Sequence, residues 1–385
     1  MLAELLDRDP VAVRAEAERR FERLRRGRPI VVHGAGGMGR DLLRALTAAG
    51  LDVLCVSDRA AGPSSEPIAG TPLLSAADAT QRFGEEALFV VAIFNPGCGY
   101  QDAASELQEL GAAETCPWTT AAWAHAADLL PRYAADWPDL PIPARGEIER
   151  CLELFDEDRS LKELESQLIW RLTGDYSVLG PHDPLSDQYF PDDLIAISAD
   201  DVFVDCGAFD GDTLIALAAH TGGTVRHVYA LEPDEANLAL LSETVAGLPV
   251  AIRSAVEVVP WAAASAPGTA NWGGSGGGAG IRDDGGTRVE LHPIDELLGL
   301  GPAPTYIKMD IEGAEPDALR GCVRSLERRP ILAVCIYHEQ SHLWELPLQV
   351  ASMVHGDYRF FVRRYQADSF DLVLYAVPAE RVVAG

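Results

Sequence analysis

Three stretches in the second half of this chain bring carboxylates, glycines and a histidine together at spacings that chemistry uses. The first, DVFVDCGAFDGDT, ends an apolar run at Asp205 and continues through Gly207, Ala208, Asp210, Gly211 and Asp212. Gly207 permits a tight turn and Gly211 a close backbone approach, as in the strand–turn–helix units that bind nucleotides. The next apolar run, HVYALE, ends in Glu232 before Pro233, a carboxylate placed to accept hydrogen bonds from ribose hydroxyls. Spacing alone suits NAD, FAD or S-adenosylmethionine. Charge separates them, because a pyrophosphate wants bare amides at a helix start and this loop carries Asp205, Asp210 and Asp212. S-adenosylmethionine has no phosphate and brings a sulfonium and an ammonium, which suit carboxylates. Beside this stands a plainer reading, in which Asp210 or Asp212 caps the following helix.

The second stretch, TYIKMDIEGAEPDALRGC, delivers Lys308, Asp310 and Glu312 to the end of an apolar strand, where open α/β sheets bind ligands. Three charges there are unfavourable unless paired or used, and Lys308 with Asp310 or Glu312 is the obvious structural pair. The third is Tyr337-His338-Glu339 after the next strand, at the same sheet edge. His338 there reads as a general base, with Asp310 orienting it or the substrate. Alternatively Asp310, Glu312 and His338 ligate magnesium or manganese and acidify a hydroxyl.

Near the start, HGAGGMGRDLL sets Gly34, Gly36, Gly37 and Gly39 between a strand and a helix, with Arg40 and no carboxylate inside the turn. Asp58 ends the next strand. This turn suits phosphate, as the later one does not. An NAD(P)-dependent oxidoreductase built on it is the rival enzyme class, but no tyrosine–lysine or catalytic cysteine pair follows it. A non-catalytic protein with two degenerate nucleotide folds is the third reading.

The elements that must hold these residues fall into two α/β units. Residues 1–27 read as one charged helix with Leu5, Val11, Val13, Ala17, Phe21 and Leu24 as its apolar face. Residues 28–130 form a small Rossmann-like domain, and 131–175 a proline-broken linker followed by a helix. Residues 176–385 form the larger domain, with strands expected at 201–205, 227–232, roughly 249–256, 305–310 and 331–337 and a closing hairpin that puts an antiparallel strand on a parallel sheet. The glycine-rich insert 268–286 reads as a loop, either a lid or a plain insertion. Asp357 and Asp368 read as solvated loop residues.

Composition narrows the partners. The chain has 385 residues, 59 acidic and 31 basic, for a net charge of -28. Such a surface repels nucleic-acid phosphates and anionic lipid, so neither partner is expected. No apolar run approaches the ~20 residues of a membrane span, and the start lacks the apolar centre of a signal peptide. Seven cysteines without a CxxC pair read as reduced thiols. A cytoplasmic protein is the expectation, with a small-molecule acceptor as partner and oligomerisation left open.

DCGAFDGDT, ALEPDEAN and YIKMDIEGAEPDALRG, in that order, resemble the FkbM-type methyltransferases, a class I S-adenosylmethionine-dependent group, over about residues 185–378. The resemblance implies a seven-stranded Rossmann-like sheet and methyl transfer to oxygen, often on sugars or natural products. It puts Asp205, Gly207, Asp210, Gly211 and Glu232 around the cofactor, and Asp310 and Glu312 near the methyl group and acceptor. The tail CIYHEQSHLWELPLQV and FFVRRYQ is similar to a subgroup found with bacterial glycan genes. Glu339 and Arg364 stand where that subgroup commonly has a basic residue and a histidine. Tyr337, Arg363 and Arg364 are the expected acceptor contacts, the arginines through an anionic group. VVHGAGGMGR, VSDR and IAGTPLL resemble the nucleotide-sugar-binding domain of bacterial sugar acetyltransferases. That implies a nucleotide-sugar or sugar-phosphate site at Gly34, Gly36, Gly39, Arg40 and Asp58.

Overall fold

The computed structural model describes residues 1–125, 127, 129–274, 280–281 and 286–383. The first sheet is parallel, in the order β3-β2-β1-β4-β5, from β1 (Ile30–His33), β2 (Val53–Asp58), β3 (Leu73–Ser75), β4 (Leu88–Val91) and β5 (Thr115–Pro117). The runs IVVH and LFVV are buried on both faces, the signature of a central parallel strand covered by helices.

The second sheet takes β6 (Val202–Cys206), β7 (His227–Leu231), β8 (Val256–Val259), β13 (Tyr306–Met309), β14 (Ile331–Cys335), β15 (Tyr358–Arg364) and β16 (Leu372–Pro378). Its order, β15-β16-β14-β13-β6-β7-β8, has β16 antiparallel to both neighbours. This is a class I methyltransferase sheet, as expected from the sequence. Between β8 and β13, a four-stranded sheet of order β11-β10-β12-β9 is built from β9 (Ala262–Ala263), β10 (Gly268–Gly273), β11 (Gly280–Ile281) and β12 (Thr287–His292).

Several local expectations change. The opening segment is two helices, Leu2–Leu6 and Pro10–Arg25, because Asp9 caps the second through Val11 N and Pro10 takes its first position. Val11 faces solvent, while Val13 joins the large core and Phe21 the core of the first sheet, so this helix straps both units. The strand expected over 249–256 begins at Val256, since Pro249 opens a helical turn at Val250–Arg253. The insert is not simply a loop. Residues 268–272 pair antiparallel with 287–291, because TRVELH supplies an edge able to receive them. Residues 275–279 and 282–285 of that insert lie outside the described residues. The helix Asp158–Thr173 packs against β15 and belongs to the larger core, so the helical end of 131–175 is part of the second unit. No helix among the described residues is long and apolar enough to cross a membrane.

Candidate active site

β6 ends at the point where the strand order of the large sheet reverses, so the turn after it opens into a crevice. Gly207 has φ +82°, and a Cβ there would lie 2.0 Å from the Asp310 carbonyl oxygen, so only glycine lets the two strand ends meet. Gly211, at φ +87°, starts the helix Asp212–His220, and a Cβ there would meet Thr244 Cγ2 at 2.9 Å. Asp210 accepts from Asp212 N at 3.2 Å, and Asp212 accepts from Thr213 N at 2.6 Å, so both carboxylates help shape the helix start. Ala208 is buried beneath the loop.

Glu232 accepts from Phe209 N at 3.0 Å, Asp234 N at 2.8 Å and Asn237 Nδ2 at 3.4 Å, which ties the glycine turn to the end of β7. A carboxylate can accept about four hydrogen bonds, so one acceptor place remains toward the cavity that Glu232 and Pro233 line. Burial raises its pKa above the ordinary carboxylate value despite these bonds.

Asp205 stands elsewhere than expected. It is fully buried, faces Lys308 across the β6–β13 register, and pairs with it at 2.9 Å. Lys308 also donates to the Gly207 carbonyl at 2.7 Å. Strand alternation suggested Asp310 or Glu312 as the partner of Lys308, but the neighbouring strand supplies a closer one. Burial pushes Asp205 up to about 6, and burial also works against the charge on Lys308, which Asp205 nevertheless holds above its usual value. The pair is ionised at neutral pH.

Beyond β13 the chain delivers the reacting end. Asp310 accepts from Tyr189 Oη at 2.8 Å and Tyr337 Oη at 3.4 Å, and lies 3.2 Å from His338 Nε2. Burial opposes its charge, but His338, Lys308 and Tyr189 together hold it well below the usual carboxylate range. Glu312 follows at φ +58° and lines the cavity. Burial pushes it up to about 7, although His338 3.7 Å away and a 2.9 Å hydrogen bond from Tyr133 Oη favour its charge.

His338 is not placed as a general base would be. Its side chain is 2% exposed, does not line the cavity, and lies between Asp310 and Glu315, whose Oε1 is 2.9 Å from Nδ1. Burial works against the charged ring, but Glu315 and Asp310 outweigh it and raise its pKa well above the ordinary value. An imidazolium already protonated on both nitrogens is a poor general base. The metal set Asp310–Glu312–His338 is also displaced. Asp310, Glu315 and His338 are the groups that approach within 4.8 Å, and the two carboxylates sit at opposite ring nitrogens, which pairs charges rather than offering one ion a shared vertex.

Arg363 and Arg364, expected at the acceptor, lie on edge strand β15 away from this cavity. Arg363 is held by Glu157 at 2.7 Å and Asp193 at 2.9 Å, and Arg364 by Glu163 at 2.7 Å. Both are buried structural cations. Asp368 is not a solvated loop residue either, since it accepts from Tyr100 N at 3.3 Å.

The first glycine turn closes on itself. A Cβ at Gly39 would lie 1.8 Å from the Gly34 carbonyl oxygen, so the helix Gly37–Ala48 packs directly on the turn. Asp58 accepts from Ala35 N at 2.8 Å and Ala60 N at 2.9 Å, so its two oxygens serve the chain's own amides rather than facing the cavity. Arg40 is exposed and donates to Ala35 O at 3.1 Å. None of Gly34, Gly36, Gly39, Arg40 and Asp58 lines the large cavity; the first unit reaches it through Phe94, Asn95 and Pro96.

That cavity measures about 780 Å³, room enough for a cofactor and a small acceptor. One end holds Phe209, Asp212, Glu232, Asn237, Trp261 and Trp272; the other holds Asp310, Glu312, Tyr337, Phe370 and Asp371. Its basic lining residues are Lys308, paired with Asp205, and Arg132, paired with Asp41 at 2.6 Å. No uncommitted cation among the described lining residues would hold a pyrophosphate. Nine described non-glycine residues have left-handed backbone, and Tyr133, Tyr189, Phe209, Glu312 and Asp371 among them line this one cavity. Such strain persists where the surroundings enforce it, typically at functional sites. Sequence reasoning missed Tyr133, Tyr189, Trp261, Trp272, Glu315 and Asp371. Only Trp272 carried a local signal, a large aromatic inside a glycine-rich run.

Residues 205–366 match the family model described as the methyltransferase FkbM domain. The crystal structure of methyltransferase FkbM from Methylobacillus flagellatus KT has the same fold at a TM-score of 0.77, with 23% identity, covering 96% of this chain and 100% of that one. The first sheet is therefore part of the shared fold, and nothing in the comparisons supports its kinship with sugar acetyltransferases. Aeropyrum pernix fibrillarin with natively bound S-adenosyl-L-methionine aligns with 48% of this chain and 69% of its own, at 14% identity and a TM-score of 0.31. No curated protein sequence matches the chain.

Proposed function

Residues 205–366 being an FkbM-type methyltransferase domain, we propose that the protein is an S-adenosylmethionine-dependent O-methyltransferase acting on a hydroxyl of a sugar or related small molecule. The observation that carries this reading is a single cavity with the carboxylate-bearing glycine turn at one end and Glu312, poised near neutrality, at the other. The donor set fits the cofactor. Glu232, Asn237 and Asp212 are the polar groups that would hold it, Phe209 and Trp261 the aromatic faces, and no uncommitted cation among the described lining residues invites a phosphate. When bound, S-adenosylmethionine supplies an electrophilic methyl group on a sulfonium.

The chain's own residues do the rest. A base works best with a pKa near the working pH, and burial has moved Glu312 to about 7. An acceptor hydroxyl bonded to the Glu312 carboxylate gives up its proton there as the oxygen is methylated. Asp310 stays ionised beside it, held by His338 and Tyr189, and can fix a second hydroxyl without competing for that proton.

The test is release of S-adenosylhomocysteine against a panel of free sugars, sugar phosphates and UDP- and GDP-sugars, with Glu312→Gln as control. Turnover of one class, lowered roughly 10²–10⁴-fold by the substitution, is expected. Full activity of Glu312→Gln would falsify the base assignment.

A further inference from the structure

The methyltransferase domain does not complete its own reaction centre. Glu312, its carboxylate at the acceptor end, is bonded by Tyr133 Oη at 2.9 Å, and Tyr133 lies outside residues 205–366, in the segment that follows the first unit. We propose that Tyr133 is a positioning residue for Glu312, so that docking of the N-terminal half sets the orientation and proton affinity of the base. This rests on Glu312 being the base.

Three independent observations point the same way. Tyr133 has φ +47° and Glu312 φ +58°, so both partners of this bond hold left-handed backbone that a bulky side chain rarely adopts. The residues flanking Tyr133 are anchored into both units. Arg132 pairs with Asp41 of the first at 2.6 Å, while the Ala134 carbonyl accepts from Arg171 at 3.0 Å and Asp136 N donates to Gln340 at 2.9 Å in the second. The ring lies between Phe94 of the first unit, 6.0 Å between centroids, and Phe370 of the second at 6.3 Å, with His338 at 6.1 Å. A strained tyrosine anchored on both sides delivers its hydroxyl to one place, and that place is the Glu312 carboxylate.

Glu312 meets charge from its own strand end, from the helix that follows and from β14. Asp310 precedes it on the same strand end, Glu315 begins the following helix, and His338 approaches from the end of β14. From the described residues of the inserted sheet comes Gly280, uncharged, where a Cβ would sit 3.2 Å from Glu312 Cβ. Burial above all, with Asp310 and Glu315, disfavours ionisation of Glu312, and the groups that oppose them are His338 and the Tyr133 hydroxyl. A hydrogen bond donated to a carboxylate stabilises its charged form, so removing the hydroxyl raises the titration midpoint.

The experiment uses the full chain with ¹³C-carboxyl-labelled glutamate, the Glu312 resonance being assigned by its absence in Glu312→Gln. Tyr133→Phe keeps the ring and its packing and deletes only the bond. Its Glu312 midpoint is expected to rise by about half a unit to one unit. With an acceptor from the panel, the acid limb of kcat/KM should move up by the same amount while KM for S-adenosylmethionine stays put. An unchanged midpoint in Tyr133→Phe overturns the proposal. If instead Glu312→Gln is fully active, the base assignment fails and the midpoint shift alone still decides whether Tyr133 controls Glu312. A double variant no slower than Glu312→Gln supports the coupling, and a further loss in it overturns it.

Discussion

The buried Lys308–Asp205 pair makes a prediction that needs no substrate. Both side chains are essentially inaccessible, 3% and 0% exposed, with Nζ 2.9 Å from Oδ1. Lys308→Met keeps the stem's volume but leaves Asp205 without its cation and the Gly207 carbonyl without its donor. Breaking a buried pair from one side costs about 3–5 kcal/mol, because the remaining charge is desolvated and unpaired. Removing both charges, as Asp205→Leu with Lys308→Met, spares that penalty. It still orphans the Gly207 carbonyl, so about 1–3 kcal/mol of loss should remain. The double variant is therefore expected to be more stable than Lys308→Met alone, a sign reversal that independent contacts cannot produce. Urea unfolding followed by circular dichroism and fluorescence measures all three. A Lys308→Met cost under about 1 kcal/mol, or a double variant less stable than both singles, refutes the reading of Asp205 as structural partner and returns it to the cofactor.

Three further outcomes follow from the site. Glu232→Ala should weaken S-adenosylmethionine binding by roughly 1.5–3 kcal/mol in calorimetry, with little NAD binding in either form; unchanged affinity sinks the ribose contact. His338 has a folded pKa raised above its unfolded value by Glu315 and Asp310, so its stabilisation is complete below the ordinary histidine pKa and is lost as pH rises through the raised one. The stability difference between wild type and His338→Gln should thus be largest in acid-to-neutral buffer and shrink in alkali, and a difference that grows with pH contradicts the imidazolium. Arg363→Ala should destabilise the fold by about 1–3 kcal/mol, since Glu157 loses its buried cation while half-exposed Asp193 keeps Arg159 at 3.4 Å, and KM for any acceptor stays near wild type; a KM effect without a stability effect restores the acceptor role.

Much of the site was legible because it is local. The turn after β6, the carboxylate ending β7 and the Lys-x-Asp-x-Glu run after β13 are each short strand-end features, and strand ends at a sheet's reversal point gather in one crevice by topology alone. The misreadings were of partnership. His338 is at the expected sheet edge, but its neighbours Glu315 and Asp310 turned a candidate base into a charged clamp. Arg363 and Arg364 satisfied carboxylates from the helix Asp158–Thr173 and the segments flanking it rather than a ligand. Part of the glycine-rich insert became β10 because its complement, β12, lay beyond the insert's end.

The sequence alone determined the class of sheet, the antiparallel closing strand and the sign of charge around the cofactor turn, since these depend on hydrophobic period, glycine position and residue type, which a chain carries with it. It also determined that Glu232, Asp310 and Glu312 would stand at the carboxyl-terminal edge of the sheet, where all three line the cavity. Tertiary structure decided which charge met which. Proton affinities follow burial and neighbours a few ångströms away, so Asp310 and Glu312, two residues apart, are driven in opposite directions by contacts from remote segments. It decided, too, that Tyr133 reaches Glu312 across 179 residues of chain, a contact no spacing rule encodes because only the packing of one unit on the other brings those two atoms together.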